Sequence, residues 1–126
     1  MKPINEWLSR QVRKRDKGIF ENPIQFRQII LRAIKRSNWR DAYTDDSLDW
    51  KLIYSPNLQR GTAKYKNQRI KYPSIDHING RASRAVKICA LRTNDAKSDM
   101  SYKQLLDFCR KVLKTDKAHR RRGLRR

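Results

Sequence analysis

The spacing of apolar residues predicts two helices in the first forty positions. Trp7, Leu8 and Val12 form a narrow stripe between about Asn5 and Lys17, and Arg10, Arg13, Lys14, Arg15 and Lys17 crowd the remaining surface. Gly18 is a natural stop for that helix. In "NPIQFRQIILRAIKRSNW", Asn22 can cap, Pro23 suits the first turn, and Phe26/Ile29, Ile30 and Ile34 recur at helical spacing. The pattern then changes. Leu48, Trp50, Leu52 and Tyr54 alternate with other residues, which predicts a strand ending at Ser55-Pro56-Asn57. From Gly61 to Tyr72, lysines and arginines mix with two tyrosines without apolar periodicity, as in a solvated basic loop.

Beyond Tyr72 the pattern tightens. "YPSIDHI" reads as a short strand, Asn79-Gly80 as a turn, and "AVKICAL" (85–91) as a second strand. "TNDAKSDM" predicts a short helix. Ser101 and Gln104 have capping-box spacing, and Leu105, Phe108/Cys109 and Val112/Leu113 then recur at core spacing. These elements predict an α+β fold in one domain over residues 1–116. Its parts are a mainly helical stretch over 1–50, a strand–strand–helix core over 72–100 and a C-terminal helix over 101–114. The last ten residues, "KAHRRRGLRR", read as a basic tail that orders on a polyanion. Trp7, Trp39 and Trp50 are expected as core or interface anchors.

Charge decides the partner class. Thirty-two Lys and Arg against twelve Asp and Glu give a formal net charge of +20 in 126 residues. Such an imbalance repels itself in the compact state and favours a polyanion. DNA leads, with RNA not excluded, because each neutralised phosphate releases condensed counterions. An acidic membrane surface or an acidic protein is also open to such a charge, but nucleic acid leads and no membrane partner is expected; no run of about 18 apolar residues is present, so no transmembrane helix is predicted. The basic N-terminal segment lacks the apolar stretch of a secretory signal, so the expected location is intracellular, in the cytoplasm. Cys89 and Cys109 form no Cys-x-x-Cys pair, so no structural zinc is expected, and both are expected as buried free thiols.

Candidate chemistry lies in "PSIDHINGR". Two strands followed by a helix bring the end of the first strand near the start of that helix, so Asp76, His77 and Asn94 can converge. A neutral imidazole accepts a water proton near pH 7. One carboxylate and one amide oxygen suffice for Mg²⁺, which keeps several of its waters. Neighbours on a regular strand face opposite sides, so Asp76 and His77 share a site only if the strand ends or twists between them. Lys97 follows Asn94 by one helical turn and is placed to reach a phosphate.

The segment "PSIDHING…AVKICALRTNDAKSDMSYKQLLDFC" resembles the HNH, or His-Me finger, endonucleases, in particular small phage and mobile-element members. The resemblance covers about residues 72–110. It implies a ββα-metal core, one divalent cation (Mg²⁺, or Mn²⁺), and metal-dependent nicking or cleavage of DNA in a bacterial or phage-infected cell. By position it implies His77 as general base and Asp76 and Asn94 as metal ligands. Ala85 stands where many members carry an asparagine. The nucleic-acid contacts expected around this site are Lys64, Lys66, Arg69, Lys71, Arg81, Arg84, Arg92 and Lys97, with Arg120, Arg121 and Arg122 from the tail. Two rival readings need no catalysis: a basic nucleic-acid-binding protein on the same fold within a larger assembly, and a basic structural protein of a virion or ribonucleoprotein. A protein partner or a homodimer is compatible with each.

Overall fold

The computed structural model describes residues 2–15, 23–54, 63–78 and 85–123. The described elements form two compact units, Met1–Ala96 and Lys97–Arg126. The class is α+β: α1 (Lys2–Arg15), α2 (Pro23–Arg36), a 3₁₀ turn (Trp50–Tyr54), α3 (Ala63–Gln68), β1 (Pro73–His77), β2 (Val86–Ala90), α4 (Leu91–Lys97) and α5 (Tyr102–Arg121). The expected stop at Gly18, cap at Asn22 and turns at Ser55-Pro56-Asn57 and Asn79-Gly80 lie outside the described residues.

In the first unit, burial follows the apolar pattern. Ile4, Trp7, Leu8 and Val12 line one face of α1, and Phe26, Ile30, Ala33 and Ile34 line one face of α2. Both stripes join Ile53, Ile75, Val86 and Ile88 in one core. Each large side chain so buried contributes about 1.5–3 kcal/mol. A two-stranded sheet alone is marginal in water, and here helices cover it. The Arg27 guanidinium donates to Asn5 Oδ1 at 2.5 Å, joining α2 to α1, and that of Arg10 donates to the Ile53 carbonyl at 3.2 Å.

The strands pair antiparallel, with Ile75 opposite Ile88, Asp76 opposite Lys87 and His77 opposite Val86. Pro73, Ile75 and His77 therefore share one face with Val86, Ile88 and Ala90, and Ser74 and Asp76 share the other with Lys87 and Cys89. The first face carries the apolar core.

Three expected elements are corrected. Residues 50–54 form a 3₁₀ turn rather than a strand. Trp50 packs edge-on against both Trp7 (5.6 Å) and Trp39 (5.0 Å), and its indole N–H donates to the Trp39 carbonyl at 2.9 Å. Those contacts hold the segment in a tight turn. Residues 63–68 form α3 rather than a loop. In the second unit α5 runs to Arg121, so the first half of the expected tail, residues 117–121, is helical. Lys, Arg and Ala are good helix formers, and an established helix propagates through them.

The capping box of α5 forms as read. Gln104 N–H donates to Ser101 Oγ at 3.2 Å, and Ser101 N–H donates to Gln104 Oε1 at 2.9 Å. No α5 residue is buried, and Phe108, Val112 and Leu113 are exposed. Of the two thiols, Cys89 is buried as expected and Cys109 is exposed, contrary to expectation. Among the described residues no helix is long and apolar enough to cross a membrane.

Candidate metal and nucleic-acid site

Asp76 and Asn94 are brought to the same side of β1. Leu91 N–H donates to the Tyr72 carbonyl at 2.8 Å, which starts α4 beside the foot of β1. One turn on, the Asn94 amide nitrogen donates to Ser74 Oγ at 3.0 Å and to the Ile75 carbonyl at 3.1 Å. A carbonyl only accepts, so these bonds fix which end of the amide is nitrogen. Both N–H groups are spent inside the protein, and Oδ1 is the atom Asn94 can offer to a ligand. Asp76 lies two residues from Ser74 on that same face and is 4% exposed.

Tyr43 joins this site from a different part of the chain, and nothing in the apolar pattern announces it. Its phenol donates to Asp76 Oδ2. Burial first, then the hydrogen bond and charge of Asp76, hold the phenol well above its ordinary pKa, so it remains a donor. The Lys87 ammonium sits 5.0 Å from the centre of the Tyr43 ring. Asp41 anchors the turn that carries Tyr43. Its Oδ1 accepts from Tyr43 N–H (2.8 Å) and Thr44 N–H (3.1 Å), and its Oδ2 accepts from Ala90 N–H (2.8 Å) and Thr93 Oγ1 (2.7 Å). One buried carboxylate thus ties the 41–44 turn to β2 and to α4. The Asp-x-Tyr-Thr run carried a local signal for the first pair of bonds, an Asx turn. Its reach to Ala90 had none.

His77 lies on the other face. The ladder does not end at this residue: His77 pairs with Val86, and Ile78 N–H donates to the Ala85 carbonyl at 3.1 Å. Strand alternation therefore holds, and the imidazole stacks on Phe26 of the core (centroids 6.3 Å apart, 30° between planes). Asp76 and Ser74, the partner of Asn94, thus lie on one face of β1, and His77 lies on the other.

The basic residues divide. Lys66, Lys71 and Arg92 are exposed. Arg69 is half-buried, pairs with Asp95 at 3.8 Å, and receives Arg92 N–H on its carbonyl at 3.0 Å, so Arg69 and Arg92 lie together. Lys97 is 2% exposed, a buried ammonium rather than a solvated one. Arg120, Arg121 and Arg122 are exposed at the end of α5, and Arg120 pairs with Asp116 at 3.0 Å. Arg81, Arg84 and the side chain of Lys64 lie outside the described residues.

No family model, curated protein or solved structure matches this chain.

Proposed function

We propose that the protein is a metal-dependent nuclease that nicks or cleaves DNA, with Asp76 and Asn94 as the protein ligands of one divalent cation. The observation that carries this reading is the shared placement of the two side chains, with the Asn94 amide turned so that its oxygen is the atom offered. Two oxygens of this kind suit Mg²⁺ or Mn²⁺, hard ions that keep water in their remaining positions. Such an ion, when bound, polarises a phosphate and stabilises the leaving oxygen. The net charge of +20 supplies the attraction to the phosphate backbone, and exposed Lys66, Lys71 and Arg92 offer contacts that position without reading sequence. His77 is the base of this reading. To reach water on the Asp76 face, its ring has to leave Phe26.

That last requirement favours a second reading, a basic nucleic-acid-binding protein that does not cleave. One experiment separates the two. Supercoiled plasmid is incubated with wild type, His77→Ala and Asp76→Ala in Mg²⁺ or Mn²⁺, with and without EDTA. The nuclease nicks, stops in EDTA, and loses about 10²–10⁴-fold with His77→Ala, the usual contribution of a general base, while DNA binding survives. Nicking that survives His77→Ala but not Asp76→Ala keeps the cation pair and removes His77 from the chemistry. Intact plasmid in every wild-type sample overturns the nuclease reading. In that case binding whose log affinity falls by about 0.9 per phosphate contact with log salt identifies the binder.

A further inference from the structure

The turn that carries Tyr43 also walls a cavity of about 560 Å³, which the reading of Asp76 and Asn94 does not use. Small-molecule sites run from about 300 to 1,000 Å³, are mostly apolar, and hold a few placed polar groups. Here Ala33, Ala42, Ile78 and Val86 supply the apolar wall. Asn38 and Thr44, both exposed, add an amide and a hydroxyl, and Arg36 adds an exposed guanidinium from the last turn of α2. Two acids of the lining are matched within the protein. Asp41 accepts four hydrogen bonds, and the Asp45 carboxylate lies 3.2 Å from Arg40 Nε.

The wall is built in advance. Asn38, Trp39 and Asp45 have φ of 55°, 63° and 62°, a left-handed region that a bulky side chain such as indole rarely adopts. Backbone bonds hold them there: Trp39 N–H donates to the Ile34 carbonyl at 3.0 Å, and Asp45 N–H to the Asp41 carbonyl at 2.8 Å. The cavity also adjoins the candidate metal site, since Tyr43 lines it while the Tyr43 hydroxyl donates to Asp76.

Apolar walls, an amide, a hydroxyl and one guanidinium match a nucleotide. A base has apolar faces and an edge of donors and acceptors, and it carries a phosphate. In a perfect duplex those faces are stacked and that edge is paired, so a base enters a pocket only once it leaves the stack, which costs least where it is already unpaired. An apolar side chain of a protein partner would leave Arg36, Asn38 and Thr44 without a use. Resting on the reading of this chain as one that engages DNA, we propose that the cavity receives the base of one unpaired nucleotide, so that DNA carrying an unpaired base is preferred to perfect duplex.

The test compares near-equal phosphate counts. Fluorescence anisotropy at fixed salt, in EDTA so that nothing is cleaved, measures binding of a perfect duplex, the same duplex with one bulged nucleotide, and that duplex with the bulge abasic. Wild type is compared with Ala42→Phe, which fills the cavity from an exposed position and keeps the Ala42 N–H bond to the Ile88 carbonyl. Asn38→Gly removes the amide at a φ that suits glycine. Circular dichroism checks that both variants fold. The expected result is about tenfold tighter binding of the bulged duplex, the scale of one base contact. That preference is lost with the abasic bulge and in Ala42→Phe, is reduced in Asn38→Gly, and is competed away by dAMP but not by inorganic phosphate. Equal binding of bulged and perfect duplex by wild type overturns the inference and leaves DNA binding standing. A preference that survives in both variants, or that phosphate alone removes, overturns the assignment of the cavity to a base. A wild type that binds none of the duplexes overturns the DNA reading and this inference together.

Discussion

Removing Asp41 tests whether the turn, the sheet and α4 are held as one assembly. Asp41 is 2% exposed and accepts four hydrogen bonds, two on each oxygen. Bonds to a charged group contribute about 1.5–3 kcal/mol each. Several kcal/mol of lost carboxylate hydration stand against them. Asp41→Ala should then destabilise the protein by about 3 kcal/mol, since the buried Ala90 N–H loses its acceptor where water cannot replace it. That is a large share of the 5–15 kcal/mol of a small domain. Asp41→Asn should fall between, because the amide oxygen can serve one pair of donors while its NH₂ faces the other pair. The assay is urea unfolding followed by tryptophan fluorescence. With m near 2 kcal/mol/M, the midpoint falls by about 1.5 M for Asp41→Ala at unchanged slope. A shift under about 0.5 M would refute the reasoning and reduce Asp41 to a local turn residue.

Two further outcomes are expected. Ser101→Ala removes the acceptor for Gln104 N–H and should cost α5 about 1 kcal/mol, seen as lower helicity by far-ultraviolet circular dichroism; equal helicity would show that the cap contributes nothing. In the native protein Cys109 should react with a soluble thiol reagent and Cys89 only after denaturation, so one thiol titrates at first and two in guanidinium.

Much of the fold was legible because it is local. The stripes of α1 and α2, the two strands and the capping box each lie within about fifteen residues, and burial matches their periods. The 48–54 segment misled because four alternating apolar residues fit a strand and a tight turn equally; the deciding contact is Trp50 against Trp7, forty-three residues away. The basic run from Lys117 reads as a tail by its charge, yet composition that repels itself can still propagate a helix already begun. At the site, the approach of Asn94 to β1 was legible because strand–strand–helix order brings α4 beside that strand. Tyr43 and Asp41 were not, since their partners lie thirty-three and forty-nine residues on. Polar residues in a loop carry no period from which such reach can be read.

The position of His77 bears on the chemistry through its cost. Bringing the imidazole to the Asp76 face breaks the ring contact with Phe26, about 0.5–1.5 kcal/mol, and the Ile78–Ala85 bond, about 0.5–1.5 kcal/mol. Together these are about 2 kcal/mol, or roughly a thirtyfold penalty in population. A general base contributes about 10²–10⁴-fold, so the move is worth making once substrate is bound, and binding energy from remote phosphate contacts can drive it. The geometry thus sets a condition on the nuclease reading rather than a bar to it. Asp76 and Asn94 already share a face, and the substrate has to supply about 2 kcal/mol to turn the end of β1. A protein that only binds DNA makes no such demand, and its His77 stays on Phe26 in the complex as it does here.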